Sequence, residues 1–472
     1  MSLTYDLIVI GGGPAGATLA TLVAQAGHKV LVLERDDFPR YQIGESLLPA
    51  TTYGLTKLLG IREEVQRAGF YKKLGATFRW GIEDALWTFR FGRSPLVGDP
   101  ADNFQVSTFQ VQRKEFDGIL LRNARKSGVE VRHGCRVQSL IEESGRVCGV
   151  IFTDEAGASQ TVRARFVGDA SGHQSVVADE MGTRTFSRFY RNLAFFTYFE
   201  NGCRLPAPDD GNVFFESFAD GWIWYIPLTP ALTSLGAVVP KEKALALRET
   251  PENILKAYIA ACPNITKFLA HARRSPEKPY DEVRTRKEFS YCRSHFWKPG
   301  AFLLGDSACF VDVLMSSGVH LGTYGALLAA RCVNTCLAEG GTIAESRCFN
   351  EFEVRYRLEF AKFYQALVGM YDLTKTSGVY RDWVRALFRY TNGGALELDE
   401  PAGAAPAPTG PTALPTRKGI DPVAELALMR DFNRRILENF DPEPRMEKVE
   451  SIPKVQPALT PSADRLRWEE VA

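Results

Sequence analysis

The sequence predicts an α/β fold that opens with a βαβ unit, carries an inserted antiparallel sheet and ends in a helical part. Three observations predict it. The apolar strand Tyr5–Ile10 runs straight into Gly11-Gly12-Gly13-Pro14-Ala15-Gly16 and a small-residue helix reaching about Ala26. Between Asn192 and Val239 the apolar residues alternate with the period of two that strands require. From about Gly322 to Leu337 and from Glu353 to Leu373 they take helical spacing.

Lys29–Leu33 is the second strand of the opening unit, and Glu34 closes it about twenty residues after the glycine run. Strand-like segments recur at Val129–Val131, Val137–Ile141, Val147–Phe152 and Arg163–Asp169. The alternating region reads LAFFTYFE, NVFFESF, GWIWYIPL and TSLGAVV, divided by Asp-Gly and Thr-Pro turns. This predicts an antiparallel meander forming a substrate-side sheet within about residues 190–300. Ala301–Leu304 is a further strand ending at Gly305-Asp306, and Ser316, Ser317, Gly318 and His320 read as a loop feeding a buried helix. Residues 1–375 are expected to form one unit, and 376–472 a helical C-terminal region. Within the latter, 401–416 holds five Pro, five Ala and two Gly, the composition of a linker. Pro422–Asn439 predicts another amphipathic helix, followed by a loosely held end.

Composition narrows the function classes. The 57 Lys+Arg balance 56 Asp+Glu, a formal charge of +1, which argues against a nucleic-acid-binding surface. With 45% hydrophobic and 24% charged residues the chain is not a disordered one. The nine cysteines are dispersed without a CxxC pair or zinc spacing, so they are expected to be ordinary buried thiols in a cytoplasmic protein, with no metal. The uncharged runs Leu7–Gly27 and Val313–Ala330 are broken by glycines and by Pro14 or by polar residues, which argues against a membrane span.

GxGxxG alone is a weak signal, but here it follows a strand, opens a helix and is answered by Glu34. Gly11, Gly13 and Gly16 allow the turn and close phosphate approach, Pro14 and Ala15 start the helix, and Glu34, with Arg35 after it, stands where ribose hydroxyls are bound. Gly168-Asp169-Ala170-Ser171-Gly172 and Phe302-Leu303-Leu304-Gly305-Asp306 each close a later strand. The three motifs together resemble the FAD contacts of flavoprotein monooxygenases with the glutathione-reductase-type fold, in which the second Asp, here Asp306, binds the ribityl chain. No second GxGxxG follows for NAD(P)H.

Four further segments carry a more specific resemblance: Tyr41-Gln42-Ile43-Gly44-Glu45-Ser46-Leu47-Leu48-Pro49, the run Lys73–Gly81, Trp222-Ile223-Trp224-Tyr225-Ile226-Pro227, and Ser316-Ser317-Gly318-Val319-His320-Leu321. Over roughly residues 4–375 the chain resembles two-component flavin-dependent halogenases. It is most similar to the branch acting on phenolic and pyrrolic groups, often tethered to acyl or peptidyl carrier proteins, which includes the glycopeptide-antibiotic and chondrochloren halogenases of natural-product biosynthesis.

The resemblance implies FADH2 supplied by a separate flavin reductase, reaction with O2 to a C4a-hydroperoxide, and attack by halide, chloride on abundance grounds. It places the essential lysine at Lys73, which would donate to hypohalous acid as an ammonium or form a haloamine as an amine. Ser317 and Gly318 would hold halide, while Gly44, Glu45 and Ser46, with Arg113, would contact flavin. Trp222, Trp224 and Ile226, ahead of Pro227, alternate onto one strand face, where they would keep organic substrate from the flavin; an ordinary aromatic core stripe is the competing reading. His320 reads as a packing residue. Where relatives have Asp-Pro, an aliphatic residue and Phe, this chain has Asp312-Val313-Leu314-Met315, which is expected to loosen the halide loop. The rivals are a hydroxylase or epoxidase of the same fold, a prenyl-chain reductase and a flavin-binding protein without catalysis. An acidic carrier protein would dock on a local basic patch, at Arg273 and Arg274 or at Arg355 and Arg357.

Overall fold

The structure is a computed structural model that describes residues 5–81, 84–91, 107–187, 191–287, 290–339, 342–372 and 459–470. The linker at 401–416 and the helix expected at Pro422–Asn439 lie outside these residues.

The run of β1 (Tyr5–Ile10), buried except at Asp6, suits it to the middle of a parallel sheet. It lies between β2 (Val30–Leu33) and the strand Ser159–Asp169, with Glu130–Arg132 outside β2 and Ala301–Leu303 outside Ser159–Asp169. The register sets Ile10 opposite Asp169, and Asp169 opposite Leu303. The three motif-bearing strands therefore end side by side, and Gly11, Ala170 and Leu304 share one carboxyl edge. Ligands of open α/β sheets bind at such an edge.

Helix α1 (Pro14–Gln25) begins with Pro14 in its first turn, where the missing N–H costs nothing. Two glycines make the turn before it possible. Gly11 has φ +96°, and a Cβ on Gly16 would lie 1.9 Å from the Gly11 carbonyl oxygen.

The inserted sheet is not a simple meander. Asn192–Glu200 pairs with Leu232–Pro240, which pairs with Gly221–Pro227, then Val213–Phe218, so the first strand lies beside the last. Gly75–Arg79 joins it in parallel with Val213–Phe218, and Trp87–Arg90 closes that edge. One face packs Phe196, Trp222, Trp224 and Ile226 into the main core. The other packs Phe195, Ile223 and Tyr225 beneath the helices Pro251–Ala260 and Pro263–Phe268. Burial on both faces explains the nearly continuous apolar run LAFFTYFE.

The long helices begin earlier than their apolar spacing indicates, at Ser317 and Glu345, and end at Leu337 and Asp372. Ser316 takes a left-handed φ of 55°, so the turn is completed in one residue and Gly318 and His320 are already helical. Of the stretch expected to be loosely held, the described residues 459–470 are docked. Residues 459–470 form a hairpin whose Trp468 is buried against helix Ser317–Leu337, its indole Nε1 donating to Cys332 Sγ at 3.3 Å. All nine cysteines are free, and Cys203 is exposed while Cys148, Cys292 and Cys336 are half-buried, so only five are the buried thiols expected. Among the described residues no helix is long and apolar enough to cross a membrane, and no three metal-ligating side chains cluster.

Candidate active site

A cavity of about 460 Å³ opens along the carboxyl edge of the parallel sheet and runs beneath the inserted one. Gly11, Gly13, Pro14, Ala15, Glu34 and Arg35 line one part of it. Gly16 lies under the turn instead. Both Glu34 oxygens accept backbone N–H groups, from Gly12 at 2.6 Å and Asp36 at 2.9 Å, so the carboxylate also fixes the glycine turn. Arg35 pairs with Asp36 at 3.3 Å and is half-exposed.

The two carboxylates of the later motifs differ. Asp169 is buried and accepts from Ser171 N, Ser171 Oγ, Ser307 Oγ and Ser175 Oγ, so it holds the Ala170–Gly172 turn in shape rather than facing the cavity. Gly305 and Asp306 do line it, and burial raises the Asp306 carboxyl while Arg286, Arg113 and Arg184 pull the other way. Arg113 also lines the wall, but its guanidinium is committed to Asp117 at 2.7 and 3.0 Å and to the Ile43 carbonyl at 2.6 Å. It thereby braces the loop carrying Gly44, Glu45 and Ser46, all three of which face the cavity.

Sequence reasoning missed several residues here. Arg40, Arg184, Arg286 and His173 line the cavity without any motif to announce them. Arg40 Nη1 pairs with Asp117 Oδ2 at 3.3 Å without forming a well-aligned hydrogen bond, and its Nη2 lies 3.1 Å from where a Gly13 Cβ would stand. Burial, then the charges of Arg286, Arg184 and Arg35, lowers the His173 imidazole to about 4 and keeps it neutral. A helix N-terminus, a glycine cradle and the Arg40 guanidinium beside Gly13 together fit the pyrophosphate of FAD.

At the other end of the cavity, Ser317 and Gly318 stand at the start of their helix and line the wall; the Ser317 hydroxyl is fully buried with no hydrogen-bond partner. The preceding loop is secured in place of the proline: Asp312 Oδ1 accepts from Leu314 N at 2.8 Å and Oδ2 from Tyr371 Oη at 3.3 Å. Tyr371 also accepts from Trp222 Nε1 at 2.8 Å. Trp224 and Ile226 face the cavity, whereas Trp222 and Pro227 do not line it. The Trp224 ring rests on Gly236, where a Cβ would come within 2.3 Å of it. His320 is a buried packing residue paired with Glu359 at 2.9 Å.

Lys73 ends the strand Tyr71–Lys73 and is buried behind the cavity wall. Its Nζ donates to Ser46 Oγ at 2.8 Å and Leu47 O at 3.1 Å, and stands 5.4 Å from the Phe91 ring centroid. Burial lowers its ammonium to about 7. Of the basic patches, Arg355 and Arg357 are spent internally on Glu351, Glu353 and backbone carbonyls, while Arg273 and Arg274 are exposed, Arg273 paired with Glu200 at 2.8 Å and Arg274 donating to the Asp281 carbonyl at 2.8 Å.

A parallel sheet with this glycine turn, cradle and cavity defines a dinucleotide-binding protein. Comparison makes the class specific. The tryptophan halogenase family matches residues 6–106 and 97–383. A tryptophan 2-halogenase of Chondromyces crocatus is 36% identical over 370 residues, covering 76% of this chain and 67% of that one. The flavin-dependent halogenase armH4 of Armillaria mellea is 32% identical over 401 residues, 79% and 73% of the two chains. Among solved structures, the myxobacterial chondrochloren halogenase CndH superposes with a TM-score of 0.78 at 42% identity, over 99% of this chain and 100% of that one. The chain belongs to the tryptophan halogenase family and is a flavin-dependent halogenase.

Proposed function

We propose that the enzyme halogenates an electron-rich aromatic ring, phenolic or pyrrolic, with chloride as its ordinary halide, and receives reduced FAD from a separate flavin reductase. The observation that carries this reading is Lys73, an amine sealed from solvent whose Nζ reaches, through Ser46, the wall of the cavity. When bound, reduced FAD supplies the activation of O2 that oxidises halide. The helix α1 N-terminus and Arg40 hold its pyrophosphate, Glu34 its ribose, and Asp306 its ribityl chain. The buried Ser317 hydroxyl and the N–H groups at Ser317 and Gly318 hold halide.

An ammonium has three N–H donors, and Ser46 Oγ and Leu47 O take two. The third is left for hypohalous acid, whose leaving hydroxide Lys73 protonates while the ring attacks halogen. Trp224 and Ile226 keep the organic substrate on the lysine side. A carrier-tethered substrate, if used, meets the exposed Arg273 and Arg274. Residues 1–375 act as the catalytic unit in this reading.

Product mass tests it. With chemically reduced FAD, O2 and bromide, a panel of phenols and pyrroles, free and carrier-loaded, should yield products with the bromine isotope doublet, and Lys73→Met should yield none while still binding FAD. Oxygenated products indifferent to halide would instead establish the hydroxylase reading.

A further inference from the structure

The cavity holds more positive charge than its own carboxylates answer. Arg40 and Arg113 share one carboxylate, Asp117, and Arg35 pairs with Asp36. Arg184 and Arg286 line the same cavity, and among the described residues neither pairs with a carboxylate. Arg286 belongs to Arg284–Lys287, a strand at the edge of the inserted sheet. There it stands opposite Ala194 and shares the face that Ala194 and Phe196 turn to the cavity. From that face it reaches over to His173, its Nη1 3.1 Å from Nε2 and its Nη2 3.2 Å from Nδ1. Burial, then the charges of Arg286, Arg184 and Arg35, keeps this imidazole neutral. A neutral imidazole has a single acceptor nitrogen, so most of the Arg286 N–H groups are left for another partner. Arg184 stands alongside, its Nη2 donating to the His173 carbonyl at 2.8 Å and its guanidinium 4.7 Å from the Tyr291 ring centroid.

Two landmarks locate this pair of guanidinium groups. His173 follows the Ala170–Gly172 turn, whose Ala170 carbonyl oxygen lies 2.7 Å from where a Gly11 Cβ would stand, so it borders the glycine cradle. Toward the other end, burial raises the Asp306 carboxyl and Arg286 is the charge that opposes this most. Arg286 therefore lies between the cradle and Asp306, where the pyrophosphate of FAD joins the ribityl chain. Half-buried cations without an anion are unfavourable, and the planar guanidinium fork matches phosphate oxygens. We infer that Arg286, assisted by Arg184, clamps the FAD pyrophosphate from the inserted-sheet side, opposite the helix α1 N-terminus and Arg40, and so sets how long flavin stays bound. The inference rests on the placement of FAD proposed above. It gives the inserted sheet a second task beside carrying Trp224, because a flavin delivered by a reductase must pass Arg286 to enter and to leave.

The test titrates the full chain with FAD by fluorescence quenching, across ionic strengths from about 0.05 to 0.5 M, and follows FAD release by stopped flow. Arg286→Gln should raise the FAD Kd by ~10-fold or more at the low end, mainly through faster release. The deficit should shrink as salt screens the charge that the substitution removes. Arg286→Lys should recover part of the affinity, as a point charge without the fork, and Arg184→Gln should show a smaller loss of the same kind. Unchanged FAD affinity in Arg286→Gln overturns the inference. So does a loss that salt leaves constant or that Arg286→Lys shares in full, since either marks damage to the edge strand rather than a missing cation. Arg40→Gln binding FAD as tightly as the wild type would instead count against the pyrophosphate placement on which the inference rests, a separately visible result.

Discussion

The two ends of the cavity are built from different materials. At the carboxyl edge of the parallel sheet the surface offered to flavin is largely backbone, namely the Gly11–Gly16 turn, the Ala170–Gly172 turn and the start of helix α1. Below the inserted sheet it is side chain, with Tyr41, Glu45, Trp224 and Ile226 lining it and Lys73 behind the wall, from three separate stretches of sequence. Backbone sites tolerate little addition and side-chain sites little removal. Each prediction below sharpens or breaks that contrast.

The largest effect is expected from Gly16→Ala. Its new Cβ would lie 1.9 Å from a backbone carbonyl oxygen that has no flexible end to move, so the turn itself must open. FAD affinity should fall by ~10²-fold or more, worth about 2.7 kcal/mol, as measured by equilibrium flavin titration. Near-normal affinity would show that the turn is more pliable than its backbone contact indicates.

Lys73→Met should leave FAD binding intact and remove halogenation, and its stability should betray the cost of the native residue. An unfolded lysine titrates at about 10.5, whereas burial brings Lys73 down to about 7. Between those values the unfolded chain binds more protons, so native stability rises with pH across this window. Below pH 7 both states are protonated and the penalty is constant. The Met variant lacks this dependence, so its denaturation midpoint should exceed the wild type's most at pH 6–7, the gap closing toward pH 10 by of order 1 kcal/mol per unit. A gap independent of pH would mean that Lys73 is not buried as an amine.

The same contrast explains what could be read in advance. Glycine turns are local, so Gly11, Gly13 and Gly16 announce their strand, turn and helix in one short stretch. Trp222, Trp224 and Ile226 announce a shared face by period two, yet only the register with Leu232–Pro240 and the space at Gly236 decides that Trp224 meets the cavity. Arg40, Arg184 and Arg286 converge from three distant segments and have no spacing to detect. Asp169 was legible as part of a motif, but its role as an acceptor for three serines depended on Ser307, which is 138 residues away. The Asn192–Glu200 strand was legible as a strand but not its neighbour, since alternation fixes faces and leaves order open.

The smallest functional effect is expected far from both ends. Trp468 packs beneath Arg331 and Arg355, whose guanidinium groups lie 5.1 and 4.9 Å from its ring centroid, and Arg331 Nε and Asn334 Nδ2 donate to the carbonyls of Arg465 and Leu466 at 2.9 Å each. The C-terminal hairpin thus clamps the back of the helix whose front begins at Ser317. Trp468→Ala removes a buried indole and leaves a cavity, at a cost of about 3–5 kcal/mol by thermal or denaturant unfolding. Since neither the cavity lining nor Lys73 touches the hairpin, turnover per FAD-loaded molecule should change less than twofold, roughly 0.4 kcal/mol. If instead the KM for bromide rises while FAD affinity holds, the clamp is setting the position of Ser317 through the length of its helix, and the separation drawn here between scaffold and side-chain site fails at that point.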